Sequence, residues 1–350
     1  MSPRLSWRRL ISVLPLAVVL GCGGDRSRGV GGLLRLRGAT MGTTWSVQLP
    51  TGPGVVAGEV RQLVQGQLDS VNGAMSTYRR DSELSRFNDS TGDVWFPIGA
   101  HTAQVIGTAL DVARRSGGAL DPTVGPLVDL WGFGPHREGS GDRREIPSEA
   151  AIRRARAVVG WADVELRLDP PAVRKRRAGL RLDLSAVAKG HGVDRVADAL
   201  LAHGHPSFFV EVGGEVRTAG TKAPGVAWRV AIERPTTGAP RALLVLPLRD
   251  QALASSGGYR NFFEVAGHRF SHSIDPRTGR PVTHKLTGVS VAASTCEVAD
   301  AWATALMVLG LDAGLEVATR EGLAALFVIG ENDAATARPT PAFAAAFPSR

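Results

Sequence analysis

The chain has 350 residues, of which 43% are hydrophobic, and its 41 basic and 33 acidic residues give a formal net charge of +8. A chain of this size and composition buries a sizeable core in one large domain or two closely joined ones, which excludes general disorder. The positive excess is modest for this length. The basic run at residues 174–177 lies between two prolines and an apolar segment, so it predicts a solvated turn rather than a nucleic-acid-binding surface.

The amino terminus carries a pattern of its own. Three arginines precede an apolar run at residues 10–20, which is too short for an ordinary membrane span and ends at Gly21 and Cys22. This pattern resembles a bacterial lipoprotein signal peptide over residues 1–21, with residues 19–22 similar to a lipobox that leaves Cys22 lipidated. We therefore expect a protein anchored by lipid to the inner membrane and facing the periplasm, with the outer membrane as the open alternative.

The second of the two cysteines is Cys296. Once Cys22 carries lipid, no disulfide within the chain is expected, and a buried thiol is the simplest expectation for Cys296. Residues 22–35, which are rich in Gly, Arg and Ser, predict a flexible tether between the anchor and the folded body.

The folded body is predicted to alternate strands and helices, with several strands adjacent in the chain. Alternating or continuous apolar patterns predict strands at residues 33–40, 43–49, 163–168, 179–184, 208–220 (a pair around Gly213 and Gly214), 228–233, 242–248, 262–265, 286–293 and 323–329. Helical periodicity and capping signals predict helices at residues 57–76, 101–116, 148–159, 187–203, 297–309 and 311–320. Residues 135–147 predict a loop, and residues 334–350 an Ala/Pro-rich, weakly ordered tail. This mixture favours an α+β fold.

Known nucleotide and zinc motifs are absent from the sequence. It contains no P-loop motif and no glycine-rich dinucleotide motif after a strand. It also lacks HExxH and paired CxxC motifs, and its eight histidines are scattered, which argues against zinc.

Asp300 and Thr304 indicate a site for a cation that prefers oxygen ligands. They stand four residues apart in a predicted helix and so share one face, which is otherwise apolar. A carboxylate there needs a partner, and Mg²⁺ is the better fit among metals. Taken alone, the segment favours the alternative in which Asp300 is a capping or salt-bridged residue.

Five segments together resemble the ApbE-type flavin transferases, the FAD:protein FMN transferases. They lie in this order along the chain: residues 40–44, 75–88, 118–134, 183–200 and 255–306. The resemblance implies a single large α+β domain at residues 36–333, with mixed and antiparallel sheets, packed helices and a relation to the T-fold. It also implies that the protein splits FAD and joins the FMN half to a Thr or Ser hydroxyl of another protein by a phosphoester bond, releasing AMP. The expected acceptors are exported subunits of membrane redox complexes.

The resemblance also implies a set of site residues. Those expected to bind FAD are Met41, Tyr78, Ala119, Leu120, Asp121, Asp183, Lys189 and Ile274. Those expected to bind Mg²⁺ are the backbone carbonyl of Ala186 and the side chains of Asp300 and Thr304. Ser185 and His191 depart from the family, in which many members carry Gly and Tyr.

The residue types are suited to these roles, although each has a structural alternative. The Tyr78 ring is able to stack on an aromatic ring of the cofactor, or to pack at the rim of the fold. Lys189 near a helix amino end would meet phosphate oxygens. Asp121 would accept hydrogen bonds from the nucleotide, or cap its own turn.

The group that takes the proton from the acceptor hydroxyl is either His272 or Asp275. His272 has the more suitable ordinary pKa, although a structural histidine is the alternative. Gly213, Gly214 and Glu215 also match the family pattern, with a tight turn as the alternative.

Two other functions remain open from the sequence. In one, water replaces the acceptor hydroxyl and the protein is an FAD pyrophosphatase giving FMN and AMP. In the other, the protein is a non-catalytic periplasmic lipoprotein that binds FAD.

Overall fold

The computed structural model describes residues 32–135, 146–236, 238–258, 262–265 and 267–348. The predicted signal peptide, Cys22 and the tether up to residue 31 lie outside these residues, as does most of the loop predicted at residues 135–147. Within the described part, no helix is both long and apolar enough to cross a membrane.

The described residues contain nine α-helices. In chain order they are α1 (Ala57–Met75), α2 (Glu83–Asp89), α3 (Ala100–Arg115), α4 (Gly125–Leu130), α5 (Glu149–Arg156), α6 (Ser185–Ala202), α7 (Cys296–Leu309), α8 (Leu311–Arg320) and α9 (Pro341–Ala346).

The strands among the described residues form one large sheet and four small ones. In chain order they are β1 (Leu33–Thr40), β2 (Thr43–Pro50), β3 (Phe96–Pro97), β4 (Val164–Leu168), β5 (Pro171–Lys175), β6 (Phe208–Val212), β7 (Glu215–Ala219), β8 (Trp228–Glu233), β9 (Ala242–Leu248), β10 (Ala252–Gly257), β11 (Phe262–Val265), β12 (His268–Ser271), β13 (Ile274–Asp275), β14 (Arg280–Pro281), β15 (Leu286–Ala293), β16 (Ala324–Ile329) and β17 (Thr336–Pro339). The large sheet has the order β1-β2-β6-β7-β10-β15-β16-β17, and all its neighbouring strands are antiparallel. This confirms the predicted α+β class.

Both faces of the large sheet are covered. The alternating side chains of β6 point to opposite faces, as a period of two requires. Phe208, Val210 and Val212 pack in the cluster that also contains residues of α1 and α6, whereas Phe209 packs with residues of β8 and β9. The helix side of the sheet holds α6 and α7, which carry most of the candidate site.

The strand predicted at residues 179–184 is wrong. Its alternate leucines are buried, but its backbone pairs with a side chain instead of a strand. The Asn88 side chain donates to the Leu182 carbonyl (2.8 Å) and accepts from the Leu182 amide (2.7 Å). The strand that pairs with β4 is β5 at Pro171–Lys175.

The basic run at residues 174–177 is therefore not simply a solvated turn. Arg174 and Lys175 belong to β5. Lys175 is only 3% exposed, and its ammonium donates to the carbonyls of Phe87 (3.2 Å) and Asn88 (2.9 Å) at the end of α2. Burial lowers the pKa of this lysine.

The prediction of a weakly ordered tail is also wrong for most of its length. Strand β17 extends the large sheet beside β16, and α9 packs Phe343 into the core. The Thr340 hydroxyl caps α9 at the Phe343 amide (3.3 Å) and accepts from the Ala325 amide (3.0 Å). The described elements therefore extend past residue 333, and the first described strand starts at Leu33, before the predicted boundary at residue 36.

Candidate active site

The contact between α6 and α7 positions the site, and it depends on Gly190. A Cβ atom added to Gly190 would lie 2.3 Å from the Cys296 carbonyl oxygen, so only glycine permits this approach. Asp194, one turn further along α6, accepts hydrogen bonds from the amides of Cys296 (3.0 Å) and Glu297 (2.8 Å). These amides begin α7, and the side chain of the preceding Thr295 makes no cap. The two helices are thereby fixed at the ends that carry the candidate residues.

Lys189 lies between two buried carboxylates at this contact. Its Nζ is 3.1 Å from Glu215 Oε1 on β7 and 3.3 Å from both carboxylate oxygens of Asp300 on α7. The Gly190 amide also donates to Asp300 Oδ2 at 3.0 Å. Asp300 is 2% exposed and Glu215 is 3% exposed, whereas the Lys189 side chain is 31% exposed. One ammonium therefore faces two carboxylates in a largely buried place.

The charges in this cluster perturb one another. Burial by itself would lower the pKa of Lys189, but the charges of Asp300 and Glu215 outweigh it and raise that pKa above its ordinary value. Burial raises the pKa of Glu215 to about 8 despite the attraction of Lys189. Burial also raises the pKa of Asp300, against the same attraction. A second negative charge is thus costly here unless another cation is present.

The predicted metal ligands all lie on the two helices that meet at this contact. Asp300 and Thr304 lie one turn apart on α7, as predicted, and Ala186 lies in the first turn of α6. The Thr304 hydroxyl is 3.2 Å from the Ser256 hydroxyl on β10. In an ideal helix the Gly190 amide would donate to the Ala186 carbonyl, whereas here it donates to Asp300 Oδ2.

The described part of the chain has no group of three or more His, Cys, Asp and Glu residues able to hold a metal. The predicted set instead combines one carboxylate, one hydroxyl and one carbonyl. These are hard oxygen donors, and the cluster has more carboxylates than ammonium groups, so the residues present fit Mg²⁺.

Asp183 lies two residues before the first residue of α6 and accepts hydrogen bonds from that residue. Its Oδ1 accepts hydrogen bonds from the Ser185 amide (2.9 Å) and from the Ser185 hydroxyl. The Asp183 amide donates to the Pro122 carbonyl (2.6 Å), which joins the segment at residues 118–123 to the start of α6. Ser185, where many members of the resembled family carry Gly, thus places an added hydroxyl beside Asp183, a predicted FAD-binding carboxylate.

Asp121 is engaged within the protein. Its Oδ1 accepts from the amide (2.8 Å) and hydroxyl (2.6 Å) of Thr123, and its Oδ2 accepts from the Trp161 amide (3.2 Å). Burial raises the pKa of Asp121 despite these hydrogen bonds. The geometry favours the turn-capping alternative for this side chain. The adjacent Ala119 and Leu120 are 1% and 3% exposed, so their side chains offer little surface to a ligand.

Two predicted flavin contacts lie on connections between elements. Tyr78 follows α1 and is 72% exposed, so its ring faces outward and does not pack into the core. Met41 lies in the turn between β1 and β2 with a positive φ of 47°. Its terminal methyl lies beside Gly192 of α6, one turn beyond Lys189.

The two candidate bases differ in their surroundings. Asp275 accepts hydrogen bonds from the Arg277 amide, Nε and Nη2, each at 2.9 Å. His272 is half-buried, and its ring lies edge-on to Phe133 at a centroid distance of 6.2 Å. The carboxylate of Asp275 is committed to an arginine, which favours His272 as the base. Ile274 between them is 5% exposed and belongs to an aromatic and aliphatic cluster.

A second buried acidic cluster uses the same two helices. Glu297 of α7 accepts from Gln104 (2.8 Å) and from the Thr108 hydroxyl on α3, and its Oε2 is 2.7 Å from His191 Nδ1 on α6. His191 is 1% exposed, and its Nε2 has no hydrogen-bond partner within the described residues. The ring of His101 lies 5.6 Å from that of His191. His191, where many members of the resembled family carry Tyr, thus belongs to a hydrogen-bond network that joins α3, α6 and α7.

The sequence reasoning gave Glu215 only a secondary place and did not connect His191 with Glu297. An acidic residue directly after two glycines, at the start of a strand, is the local signal for Glu215. No comparable signal marks Glu297, because its partners lie on α3 and α6.

Comparison with known proteins gives consistent matches. The model of the ApbE family matches residues 41–327. The FAD:protein FMN transferase of Vibrio cholerae is 39% identical over 325 residues, which cover 93% of this chain and 94% of that protein. The FAD:protein FMN transferase of Escherichia coli is 38% identical over 310 residues, covering 88% of this chain and 87% of that protein.

Solved structures agree with these matches. The flavin transferase ApbE from Vibrio cholerae superposes with a TM-score of 0.81 at 37% identity, covering 91% of this chain and 99% of that one. The apo form of the flavinyl transferase ApbE from Pseudomonas stutzeri has a TM-score of 0.82 at 35% identity, covering 93% and 99%.

Proposed function

The chain belongs to the ApbE family, and from this premise we propose that it is an FAD:protein FMN transferase that depends on Mg²⁺. In the proposed reaction, FMN passes from FAD to a Thr or Ser hydroxyl of an acceptor protein and AMP is released. The observation that carries the proposal is the buried cluster of Lys189, Asp300 and Glu215 at the contact of α6 and α7. A site with two carboxylates and one ammonium favours a divalent cation, and the cation together with the ammonium favours an anionic pyrophosphate.

The proposed metal ligands are Asp300, Thr304 and the Ala186 carbonyl. When bound, Mg²⁺ would supply charge stabilisation to the phosphate oxygens. Lys189 would bind the pyrophosphate near the amino end of α6, where the positive end of the helix dipole also favours an anion.

The flavin and adenine parts of FAD would contact the connections around the site. The exposed Tyr78 ring offers a stacking surface, and Met41 an adaptable apolar one. Ile274 lies beside the proposed base. Because the side chains at residues 119–121 are buried, we expect that segment to act through its backbone.

The proposed transfer conserves atoms and charge. The acceptor oxygen forms a bond to the phosphorus of the FMN half, and the bond from that phosphorus to the bridging oxygen of the pyrophosphate breaks. AMP leaves with the bridging oxygen. His272 takes the hydroxyl proton, since Asp275 is held by Arg277.

We also propose, from the sequence alone, that Cys22 carries lipid and holds the protein at the periplasmic face of the inner membrane. The acceptor would then be an exported subunit of a membrane redox complex. Metabolic labelling with a radioactive fatty acid, compared between the wild-type protein and Cys22→Ala, tests the anchor. Equal labelling of both proteins would disprove it.

The test of the transferase activity is to incubate the purified protein with FAD, Mg²⁺ and an exported redox subunit that bears a candidate Thr. The intact mass of the acceptor and the released AMP are then measured. A mass gain equal to FMN that disappears with EDTA, or when the acceptor Thr is replaced by Ala, would support transfer. AMP without a mass gain would instead favour the pyrophosphatase. FAD that stays bound with neither product would favour the binding lipoprotein.

A further inference from the structure

Glu215 approaches Lys189 from a different part of the fold than Asp300 does. Glu215 begins β7 in the large sheet, whereas Asp300 is on α7. Both contact the same ammonium, at 3.1 Å and 3.3 Å. The ammonium is therefore held on two sides by groups whose backbones belong to separate elements.

The backbone of Glu215 is rigidly held. It pairs with Val212 across a two-residue turn in which Gly213 and Gly214 have positive φ values of 61° and 107°. Glu211 closes this turn by accepting from the Gly214 amide at 2.9 Å. The carboxylate of Glu215 is thus projected from a fixed hairpin toward Lys189 and not from a mobile loop.

The second carboxylate oxygen of Glu215 is not used by Lys189. Oε2 is buried and has no hydrogen-bond partner among the residues that the structure describes. A Cβ atom on Gly213 would lie 3.5 Å from this oxygen and 3.3 Å from the Thr43 hydroxyl, which also lacks a described partner. The described side-chain partner of Glu215 is Lys189, which it contacts through Oε1.

Two cations would contact the Asp300 carboxylate. It pairs with Lys189 in this structure, and the proposed function also requires it to bind Mg²⁺. Two cations compete for one carboxylate unless one of them has another anionic partner. Glu215 is such a partner, and it lies on the side of Lys189 that belongs to the sheet.

We propose that Glu215 is a positioning residue that holds Lys189 when Asp300 binds the cation, so that the ammonium and the metal occupy separate places. This inference rests on the proposed function, because it requires Mg²⁺ at Asp300. It adds a residue outside the predicted ligand set and assigns it the position of Lys189 rather than contact with the metal.

The test measures Mg²⁺ binding by calorimetry to purified full-length protein without FAD, so that it does not depend on transfer activity. Glu215→Gln removes, at nearly constant shape, the negative charge that Glu215 carries when a second cation is bound. Glu215→Asp keeps that charge but withdraws it by one methylene. Because both changes loosen the hold on Lys189, we expect each to weaken Mg²⁺ binding on the order of tenfold. Glu211→Gln, on the same hairpin but directed to Ser46 and Gly214, is the matched control and should leave binding unchanged.

Lys189→Met distinguishes positioning from a simple charge effect. Without the ammonium, Asp300 has no competitor, so Glu215→Gln should change Mg²⁺ affinity by less than about twofold in the Lys189→Met background. An equal loss with and without Lys189 would overturn the inference, because Glu215 would then act on the cation directly. Full affinity in Glu215→Asp with loss in Glu215→Gln would also overturn it, since charge alone would suffice.

The same experiment separates failure of this inference from failure of the proposed function. Wild-type protein that binds no Mg²⁺, or that binds it equally after Asp300→Ala, would refute the metal site and the inference with it. Binding that Asp300→Ala abolishes and that both Glu215 variants retain would refute only the inference. Thermal unfolding of each variant verifies that it is folded before calorimetry.

Discussion

Two buried clusters with carboxylates lie side by side on α6 and α7. They differ in how their carboxylates are paired with neighbouring groups. In the first, Lys189 faces the carboxylates of Asp300 and Glu215, and Glu215 Oε2 is left without a described partner. In the second, the Glu297 carboxylate is satisfied by two neutral donors from α3 and by His191, and the atom without a described partner is His191 Nε2 rather than a carboxylate oxygen. Lys189 and His191 are only two residues apart on the same helix.

The difference indicates which cluster serves function and which serves the fold. A carboxylate whose oxygens are fully hydrogen-bonded by neighbouring helices holds those helices together. A cluster with more carboxylates than ammonium groups gains from binding a further cation. The following predictions test this distinction, beginning with the largest expected effect.

Asp300→Ala should strongly reduce FMN transfer while changing the free energy of unfolding only slightly. We expect FMN transfer to fall about 100- to 1,000-fold because the proposed metal ligand is lost, while Lys189 keeps Glu215 as a partner. Single-turnover transfer and thermal unfolding measure the two effects. The matched change in the other cluster, Glu297→Ala, should leave transfer within about threefold of wild type once folded protein is compared. Similar transfer losses in both variants would remove the distinction.

Gly190→Ala should damage both clusters, because they share this helix contact. The new Cβ would overlap the Cys296 carbonyl, so α6 and α7 must separate, at a cost of about 3 kcal/mol in the free energy of unfolding. Denaturant unfolding measures this cost. Gly66→Ala, in the middle of α1 with no atom within 4 Å of the added Cβ, is the control and should stabilise by about 0.5–1 kcal/mol. If Gly190→Ala left the free energy of unfolding unchanged, α6 and α7 would not be held this closely.

Glu297→Ala should lower the free energy of unfolding by about 2 kcal/mol. It leaves Gln104, Thr108 and His191 without their shared acceptor in a buried place. Glu297→Gln keeps part of the network and should cost less than Glu297→Ala. Denaturant unfolding of the wild type, Glu297→Ala and Glu297→Gln at one pH measures the order of their free energies of unfolding. Glu297→Ala as stable as wild type would mean that this cluster does not hold the helices together.

The pH dependence of the free energy of unfolding should reveal the cluster of Lys189, Asp300 and Glu215. Burial raises the pKa of Glu215 from 4.5 to about 8. A carboxyl group whose pKa rises on folding stabilises the protein below its unfolded pKa, and this contribution is lost as the pH rises through the folded pKa. The free energy of unfolding of metal-free protein should therefore fall between pH 4.5 and about 8, and Glu215→Gln should weaken that dependence.

Denaturant unfolding in EDTA at several pH values measures this slope for both proteins. Burial also raises the pKa of Asp121, Asp194 and Glu211, but these residues contribute equally to both slopes. Asp300 interacts with Lys189 and Glu215, so the difference between the slopes reports on the cluster of Glu215, Lys189 and Asp300 as a unit. Identical slopes would contradict the prediction.

The sequence predicted many of the elements and misjudged those that depend on distant partners. The helix pattern at residues 57–76 matches α1, because its buried face is a local property of spacing. The alternating leucines at residues 179–184 do not form a strand, because the side chain of Asn88, far away in sequence, takes up the backbone hydrogen bonds. The tail was misjudged because its Ala/Pro composition conceals the pairing of β17 with β16.

The same limit applies to the site. The spacing of Asp300 and Thr304 places them on one helix face without any tertiary information. The choice between His272 and Asp275 stayed open in the sequence, and the contact of Asp275 with Arg277 now favours His272.

Sequence by itself determined the family, the α+β class and the identity of the candidate ligands, because motif order and side-chain spacing are properties of the chain. Only the tertiary structure decided that Glu215 reaches Lys189, that Glu297 is a fully bonded structural residue, and that Asp121 caps its own turn. The physical reason is that the free energy of a buried charge depends on every group that surrounds it. Those groups come from strands and helices that are distant in sequence and meet only when the chain is folded.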